Sequence, residues 1–316
     1  MSSTCEKPRM KYSLHGITVE TPFPCPELLP ASGAADVSVK WGKMEPPAVP
    51  WRDEGVCYKA APGKYLLSVK GVADYFVANG DEVIIDPAPR PDEDALRLFF
   101  YNEVIGALLM QRGALLLKGC VVERDGRAYA FTGPTPSGKT MLAARLAQRG
   151  FRIVADGFFC LTNNKSSGNE LSGNGTPLVQ PGYPSLMSWE KSLNELGISS
   201  AELKPVRTGM HRYYLPQHSS FHNEAVNLAA IHILTSHNRA ELSIEEAKGA
   251  EKLFALLPHR YHPKLAASLG MGETQNRIAA KLANSVKVSI VRHNDMLIPF
   301  REFVERMEQE LEKTTP

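Results

Sequence analysis

The chain lacks the segments that mark secreted, membrane-bound or zinc-binding proteins. The segment Met1 to Lys7 contains no apolar signal core. The longest apolar stretch in a predicted helix, Val104 to Met110, is too short to span a bilayer. The five cysteines are odd in number and have no C-x-x-C spacing, which is typical of reduced thiols rather than of a disulfide frame or zinc site. We therefore expect a cytoplasmic protein without a membrane partner.

The chain also lacks a strong excess of charge. Its 36 Lys and Arg residues and 34 Asp and Glu residues give a formal net charge of +2, which gives no general case for a nucleic acid partner. Internal repeats are not visible, and 316 residues suffice for one large or two medium domains with a buried core. The sequence thus predicts a globular protein and leaves a homo-oligomer open.

One motif in the middle of the chain is specific. It fits G-x-x-x-x-G-K-[ST], the phosphate-binding P-loop, and runs Gly133-Pro134-Thr135-Pro136-Ser137-Gly138-Lys139-Thr140. Ala128 to Phe131 predicts a strand before the loop, and Met141 to Gln148 predicts a helix after it. In this arrangement backbone N–H groups surround an anion at a helix N-terminus. We predict that these eight residues bind nucleotide; the alternative is an ordinary Gly/Pro turn.

Two side chains of the loop carry the predicted chemistry. Lys139 can neutralise the β- and γ-phosphates of ATP, and the hydroxyl of Thr140 can be a ligand of Mg²⁺. Pro134 and Pro136 stiffen the loop but remove two N–H donors. ATP and Mg²⁺ are therefore the predicted cofactors.

The first ninety or so residues favour β-structure. The predicted strands are Tyr12 to Thr21, Val37 to Trp41, Lys64 to Val69, Ala73 to Ala78 and Glu82 to Ile85, with a hairpin turn at Asn79-Gly80. Asp86 to Pro91 breaks regular structure, and Asp92 or Asp94 can cap a helix that ends at Arg112. We predict a β-rich N-terminal domain over residues 1–91, suited to substrate recognition, and a P-loop domain over residues 92–316.

The predicted P-loop domain alternates strands and helices. Ala114 to Leu117 and Gly119 to Glu123 are expected in or near one strand, and Asn163 to Pro177 is expected to be an exposed loop. The other predicted strands are Phe151 to Asp156, Asn227 to Thr235 and Val286 to Arg292, and the predicted helices are Ala250 to Leu257, Gln275 to Ala283 and a last one from Phe300 to Leu311.

Several of these segments together resemble a known family. Gly113 to Leu161, with the Asp125-Gly126 hairpin, the P-loop and the block Arg149-Gly150-Phe151-Arg152-Ile153-Val154-Ala155-Asp156, resembles the catalytic core of the HPr serine kinase/phosphorylase superfamily. Gln180-Pro181-Gly182-Tyr183-Pro184 and Trp189 resemble the P-G-Y-P…W signature of its shorter kinase-like homologues. Those homologues occur in lasso-peptide and other peptide natural-product clusters, where they phosphorylate a serine of a precursor peptide.

The resemblance implies a fold class and departs from the family at three places. It implies an α/β fold, in which a P-loop kinase core with a mixed sheet and flanking helices follows a small β-rich domain. Lys118 stands where the family's kinase/phosphorylases have a histidine, and Asp156-Gly157 stands where they have two aspartates. Their E-x-R-G-x-G motif is missing after the core, which argues against reversible action on HPr.

Two residues outside the P-loop are predicted to be catalytic. Asp156, at the end of the strand after the P-loop helix, can accept the acceptor's proton or help hold Mg²⁺; the alternative is a turn or helix-capping aspartate. Lys118 can stabilise charge on the transferred phosphoryl group, and its alternative is a lysine lying along a strand edge. Arg212 can contact phosphate or an acidic peptide or lie on a solvated strand face, and His259 and His262 are expected at the surface.

These features predict a Mg²⁺- and ATP-dependent kinase that acts on a hydroxyl. The favoured acceptor is a serine of a small peptide or protein. One alternative is a small-molecule kinase on the same scaffold. The other is a nucleotide-binding regulatory protein without transfer activity, which the glycine at position 157 and the lysine at position 118 favour.

Overall fold

The structure, a computed structural model, describes residues 9–43, 49–162, 176–239, 241–294 and 297–313. These residues form an α/β fold with two large mixed sheets, a two-stranded ribbon and flanking helices. None of the helices in these ranges is long and apolar enough to cross a membrane. Residues 163–175 of the predicted loop Asn163 to Pro177 lie outside the described residues.

The N-terminal sheet contains nine strands in the order β3-β1-β2-β4-β9-β8-β7-β6-β5. The strands are β1 (Met10–Leu14), β2 (Ile17–Thr21), β3 (Leu29–Pro30), β4 (Val37–Trp41), β5 (Asp53–Glu54), β6 (Tyr58–Ala61), β7 (Lys64–Val69), β8 (Ala73–Ala78) and β9 (Glu82–Pro87). The hairpin turn at Asn79-Gly80 is confirmed, with φ of 53° and 75°. The single strand expected from Tyr12 to Thr21 is wrong, because a tight turn at His15 and Gly16 divides it into β1 and β2.

The segment after the N-terminal sheet is helical, and most of its residues are buried. It consists of α1 (Glu93–Phe99), a π-helical turn (Phe100–Val104) and α2 (Ile105–Gln111). The side chain of Asp92 caps α1 by accepting from the N–H groups of Asp94 and Ala95 at 3.0 and 3.1 Å. The expected helix is therefore present, but the π-helical turn interrupts it.

The same segment joins the two halves of the molecule. The Tyr75 hydroxyl of β8 donates to the Leu96 carbonyl of α1 at 3.1 Å. One hydrophobic core contains side chains of the N-terminal sheet, of α1 and α2, and of Leu116 and Phe158 in the second sheet. A single core thus extends across the predicted boundary at residues 91 and 92, and the division into two domains stays a prediction.

The second half contains the remaining strands and helices. In chain order they are β10 (Leu115–Lys118), β11 (Cys120–Arg124), β12 (Arg127–Thr132), α3 (Lys139–Ala147), β13 (Arg152–Ala155), β14 (Phe158–Thr162), β15 (Leu178–Gln180), β16 (Ser185–Trp189), α4 (Glu190–Glu195), β17 (Arg212–Pro216), β18 (Val226–Ser236), β19 (Ser243–Glu246), α5 (Ala250–Leu256), α6 (Pro263–Ser268), α7 (Gly272–Ser285), β20 (Lys287–His293) and α8 (Phe300–Lys313).

The second sheet is mixed and is covered by helices on both faces. Seven strands follow the order β10-β14-β15-β18-β12-β11-β13, and β20 pairs with β18 and β19. The P-loop strand β12 is parallel to β18, and β18 is parallel to β20. Side chains of α3 and α8 share one core with this sheet, whereas side chains of α7 share a separate core with it. The P-loop strand is therefore held near the middle of the sheet.

Two long strands bend together beside the P-loop. The consecutive strands β10 and β11 form the first bent path, and the consecutive strands β13 and β14 form the second. β10 pairs antiparallel with β14, and β11 pairs antiparallel with β13. The two bends face each other, since the Gly119 N–H donates to the Gly157 carbonyl at 3.1 Å. Both glycines have positive φ, 156° and 82°. The residues expected in or near one strand thus belong to two strands on one bent path.

Candidate functional site

The P-loop connects β12 to the N-terminus of α3. Gly133 has a φ of 144°, and a Cβ added to it would lie 2.2 Å from the Leu234 carbonyl oxygen, so only glycine fits. Gly138, with a φ of 71°, precedes α3, and no side chain caps this helix. Pro134, Thr135 and Pro136 form the exposed tip, whereas Ser137 is buried. The first N–H groups of α3 are therefore available to an anion.

Lys139 points back into the loop that precedes it. Its ammonium donates to the carbonyls of Gly133 and Pro134 at 3.1 and 2.8 Å and to the Ser137 hydroxyl at 2.9 Å. Burial lowers the pKa of Lys139, while Cys120 and Asp156 act in the opposite direction. The positive charge thus lies inside the loop, where a phosphate-binding lysine is needed.

Thr140 and Asp156 form a hydrogen-bonded pair beside Lys139. The Thr140 hydroxyl donates to Asp156 Oδ1 at 2.9 Å, and the Met187 N–H of the β16–β17 ribbon donates to Asp156 Oδ2 at 2.9 Å. Asp156 directly follows β13, at the bend opposite Gly119. The structure therefore brings together the two side chains that the sequence predicts to hold Mg²⁺.

The buried environment of Asp156 disfavours the charged form of its side chain. Burial raises the pKa of Asp156, although the bonds from Met187 and Thr140 and the charge of Arg212 oppose this shift. No group of three or more His, Cys, Asp and Glu side chains that could hold a metal is present in the described ranges. A hydroxyl and a carboxylate next to a phosphate site are nevertheless the protein ligands that Mg²⁺ takes when phosphate and water complete its shell. These residues fit Mg²⁺-nucleotide.

Lys118 is tied to the P-loop through its backbone. It ends β10, and its carbonyl accepts from the Thr132 hydroxyl at 2.6 Å, one residue before the loop. Its side chain is exposed, and Nζ lies 6.0 Å from the centre of the Tyr261 ring. The structure therefore places Lys118 beside the loop, with a side chain that can extend along the site.

Gly157 leaves open space beside Asp156. A Cβ added to Gly157 would lie 3.8 Å from Asn102 Oδ1 and 3.7 Å from Met187 Cε. Asn102 belongs to the π-helical turn, and such turns occur frequently at functional sites. The Asn102 amide of the π-helical turn thus lies close to Gly157.

Arg212 lies beside Asp156 on the β16–β17 ribbon. Its charge acts on the Asp156 carboxyl, and its guanidinium carbon is 5.8 Å from the centre of the Trp189 ring. The side chain is half-buried, and its buried Nε has no hydrogen-bond partner among the described residues. The structure thus brings one of the weaker sequence candidates to the site.

The sequence did not predict that the segment Leu257–His262 contacts β10, the strand that ends at Lys118 beside the P-loop. Arg260 forms an antiparallel bridge with Leu117, and the Tyr261 N–H donates to the Leu116 carbonyl at 2.9 Å. His262 lies at the surface as expected, with a side chain that is 41% exposed, whereas His259 is half-buried. The segment's run of basic and aromatic side chains is the one feature of its sequence that points to a functional role. The contact with β10 could not be predicted, because it depends on how the chain folds.

Comparison with known proteins gives distant structural similarity. No family model matches the chain, and no curated protein matches it. Among solved structures, the chain is similar to the HPr(Ser) kinase/phosphatase from Coxiella burnetii, with 12% identity and a TM-score of 0.31. The match covers 63% of this chain and 88% of that chain. So distant a similarity bears on neither the activity nor the substrate of this chain.

Proposed function

We propose that the protein is a Mg²⁺- and ATP-dependent kinase that transfers the γ-phosphoryl group to a hydroxyl. The observation that supports this most directly is the contact between Thr140 and Asp156 at 2.9 Å beside the half-buried ammonium of Lys139. Phosphoryl transfer needs a positioned phosphate and neutralised charge rather than an elaborate set of reacting side chains. The P-loop, Lys139 and the Thr140–Asp156 pair supply these requirements.

Each residue of the site has a proposed part. The N–H groups at the start of α3 and the Lys139 ammonium would bind the phosphates, and Thr140 would hold Mg²⁺, with Asp156 as either a second metal ligand or the base. As the acceptor oxygen bonds to the γ-phosphorus, its proton passes to Asp156. The bond from the γ-phosphorus to the bridging oxygen breaks, and ADP leaves with that electron pair. Burial raises the pKa of Asp156, which favours the base role, because a bound metal ion would lower that pKa and weaken the base.

We propose a serine of a small peptide or protein as the acceptor. The resemblance to peptide-modifying kinases supports this class, as does contact between the N-terminal sheet and the site. In that contact the His15 N–H of the β1–β2 turn donates to the Pro181 carbonyl at 2.8 Å, and the His15 ring stacks on Phe158 at 4.5 Å. A recognition surface on the N-terminal sheet would therefore be held close to Asp156.

One observation favours a second candidate, a nucleotide-binding regulatory protein. Both carboxylate oxygens of Asp156 already accept hydrogen bonds, and position 157 provides no second carboxylate. A protein of this kind would bind Mg²⁺-ATP but give no labelled product with peptides, sugars or amino acids. Incubation with labelled ATP and such a panel separates the two candidates and also tests the small-molecule alternative.

The P-loop assignment is tested by K139A, with K264A as the control. Lys264 is an exposed lysine of α6, so its loss removes the same charge away from the site. K139A should bind Mg²⁺-ATP at least about tenfold more weakly, or about 1.4 kcal/mol, because the main phosphate cation is gone. Equilibrium titration measures the affinity, and circular dichroism checks the fold. A folded K139A protein that binds as tightly as wild type would refute the assignment.

A further inference from the structure

The segment Leu257–His262 lies along β10, on the side of the second sheet that carries Lys118. It connects α5 to α6 and begins with a 3₁₀ turn over Leu257–His259. Because the bridge between Arg260 and Leu117 is antiparallel, the direction of pairing brings His259 next to Lys118. His259 therefore lies at the end of β10 where the chain turns toward the P-loop.

The same end of β10 is connected to the phosphate site. The Thr132 hydroxyl, at the end of the P-loop strand, donates to the Lys118 carbonyl at 2.6 Å. Burial lowers the pKa of the His259 imidazole, and the nearby positive charge of Lys139 lowers it further. His259 and Lys139 therefore approach the phosphate site from different elements.

His259 differs from Arg260 and His262 because its side chain has no hydrogen-bond or ion-pair partner among the described residues. Arg260 donates to the Leu257 carbonyl at 3.2 Å and to Asn276 Oδ1 at 2.5 Å. His262 Nε2 faces Glu103 Oε2 at 3.5 Å. Among the described residues, the His259 ring forms no hydrogen bond, although it is half-buried. The fold thus holds a polar ring near Lys139 without giving it a protein partner.

We propose that His259 is a second phosphate-binding side chain, which donates a ring N–H to the terminal phosphates of the nucleotide bound by Lys139. This inference rests on the P-loop function proposed above. A neutral imidazole carries one N–H donor. It can add a hydrogen bond to a phosphate without the repulsion that a second ammonium beside Lys139 would cause. Lys139 is expected to bind the terminal phosphates. The contribution of His259 to nucleotide affinity should therefore be present only for ligands that carry these phosphates.

The test compares H259A, H259Q and the matched control H262N in the full chain. His262 belongs to the same segment but faces Glu103, and asparagine tolerates its positive φ of 42°. Affinities are measured by equilibrium titration with Mg²⁺ and ATP, ADP, AMP or inorganic triphosphate, and thermal unfolding checks each fold.

We expect H259A to weaken binding of ATP and inorganic triphosphate by about tenfold, which corresponds to one hydrogen bond to a charged group. Binding of AMP should change little, and H262N should bind all four ligands like wild type. H259Q keeps an N–H donor and should retain most of the affinity, so the proposal can be tested even if H259A does not fold.

The outcomes separate this inference from the function on which it rests. If K139A weakens ATP binding but folded H259A does not, His259 is not a phosphate ligand and the P-loop assignment stands. Equal weakening by H259A and H259Q would indicate a packing effect and would also overturn the inference. If wild type does not bind Mg²⁺-ATP, the proposed function itself is wrong.

Discussion

Asp156 shows a conflict between stability and chemistry at a single residue. Its carboxylate is held by Thr140 and the Met187 N–H, yet burial raises its pKa. A raised pKa in the folded state means that the protonated form is favoured there. The contribution of Asp156 to the free energy of unfolding is therefore fully present below its unfolded pKa and is lost as the pH rises through its folded pKa. Ionisation of this buried carboxyl group therefore lowers the stability of the fold.

The variant D156N should lose activity without losing stability. Its amide oxygen can accept from the Met187 N–H and its amide nitrogen can donate to the Thr140 hydroxyl, so both contacts survive without a buried charge. Turnover should fall by about 10²–10⁴ because the amide cannot accept the proton. The stability of D156N relative to wild type should rise with pH, through the range in which Asp156 ionises. Steady-state kinetics and thermal unfolding over a pH series measure both effects.

Other outcomes of the D156N experiment have distinct meanings. A loss of nucleotide affinity that high Mg²⁺ partly restores would show that Asp156 mainly holds the metal. Wild-type turnover would leave Asp156 as a structural residue and would strengthen the regulatory alternative. N102A provides a control near the same bend, since Asn102 approaches Gly157 but does not bond to Thr140.

The sequence predicts those site residues whose positions follow from local spacing. The loop from Gly133 to Thr140 lies between a strand and a helix, and Asp156 follows the next strand, so a motif and simple topology are enough. Arg212 and His259 reach the site from segments far along the chain. Their places depend on how the ribbon and the Leu257–His262 segment pack, which no local pattern encodes.

At the scale of secondary-structure elements, the paired bend at Gly119 and Gly157 organises the site. It lets β10 pair with β14 and β11 pair with β13 on either side of the point where the path changes direction. Lys118 and Asp156 are the residues just before the bend on each path. The bend therefore sets the backbone positions of two candidate catalytic residues at once.

The substitution G119A should be much more destabilising than G126A. A Cβ at Gly119 would lie 2.2 Å from the Phe131 carbonyl oxygen in the P-loop strand, a contact that only backbone movement can relieve. Gly126 also has positive φ, 75°, but its added Cβ would meet nothing within 4 Å. We expect about 3 kcal/mol for G119A and about 1 kcal/mol for G126A, measured by urea unfolding. Similar costs would show that the bend can adjust without loss.

Elements are predictable from sequence where local preference and the fold agree. β4, β7 and β8 match their predicted bounds, because each is a short run rich in apolar, aromatic or β-branched residues flanked by turn or loop residues. The turn at His15-Gly16 was missed because histidine there adopts a positive φ that its residue type rarely takes. The π-helical turn after Phe99 also escapes prediction, since the helical pattern continues through it.

At the scale of the whole molecule, buried charges connect three distant segments. Glu27 follows β2, Arg97 lies on α1 and Lys204 precedes β17. Glu27 contacts Arg97 at 3.3 Å and Lys204 at 2.9 Å, and it accepts from the Tyr101 hydroxyl at 2.8 Å. The Glu27 and Arg97 side chains are only 8% and 7% exposed. Removing Glu27 would leave the buried Arg97 with only the partners on its own helix, Glu93 and Asp94, so the segments depend on one another.

Removing residues 1–91 should therefore abolish the folding of the remaining chain. The fragment 92–316 would expose Phe100, Val104 and Leu108, which are fully buried in the shared core, and would leave Arg97 without Glu27. We expect the intact chain to unfold in one cooperative transition that Mg²⁺-ATP shifts as a whole. We expect the fragment to aggregate or to lack a cooperative transition.

Calorimetry of both proteins, with and without Mg²⁺-ATP, tests the dependence between the two halves. Adding the 1–91 segment as a separate chain is the control, because it returns Glu27 and the sheet surface without the covalent connection. If it restores nucleotide binding to the fragment, the shared core rather than the linkage is what the P-loop half requires. A fragment that unfolds cooperatively and binds Mg²⁺-ATP like the intact chain would show two independent domains. The N-terminal sheet would then be needed only for a later step, such as acceptor recognition.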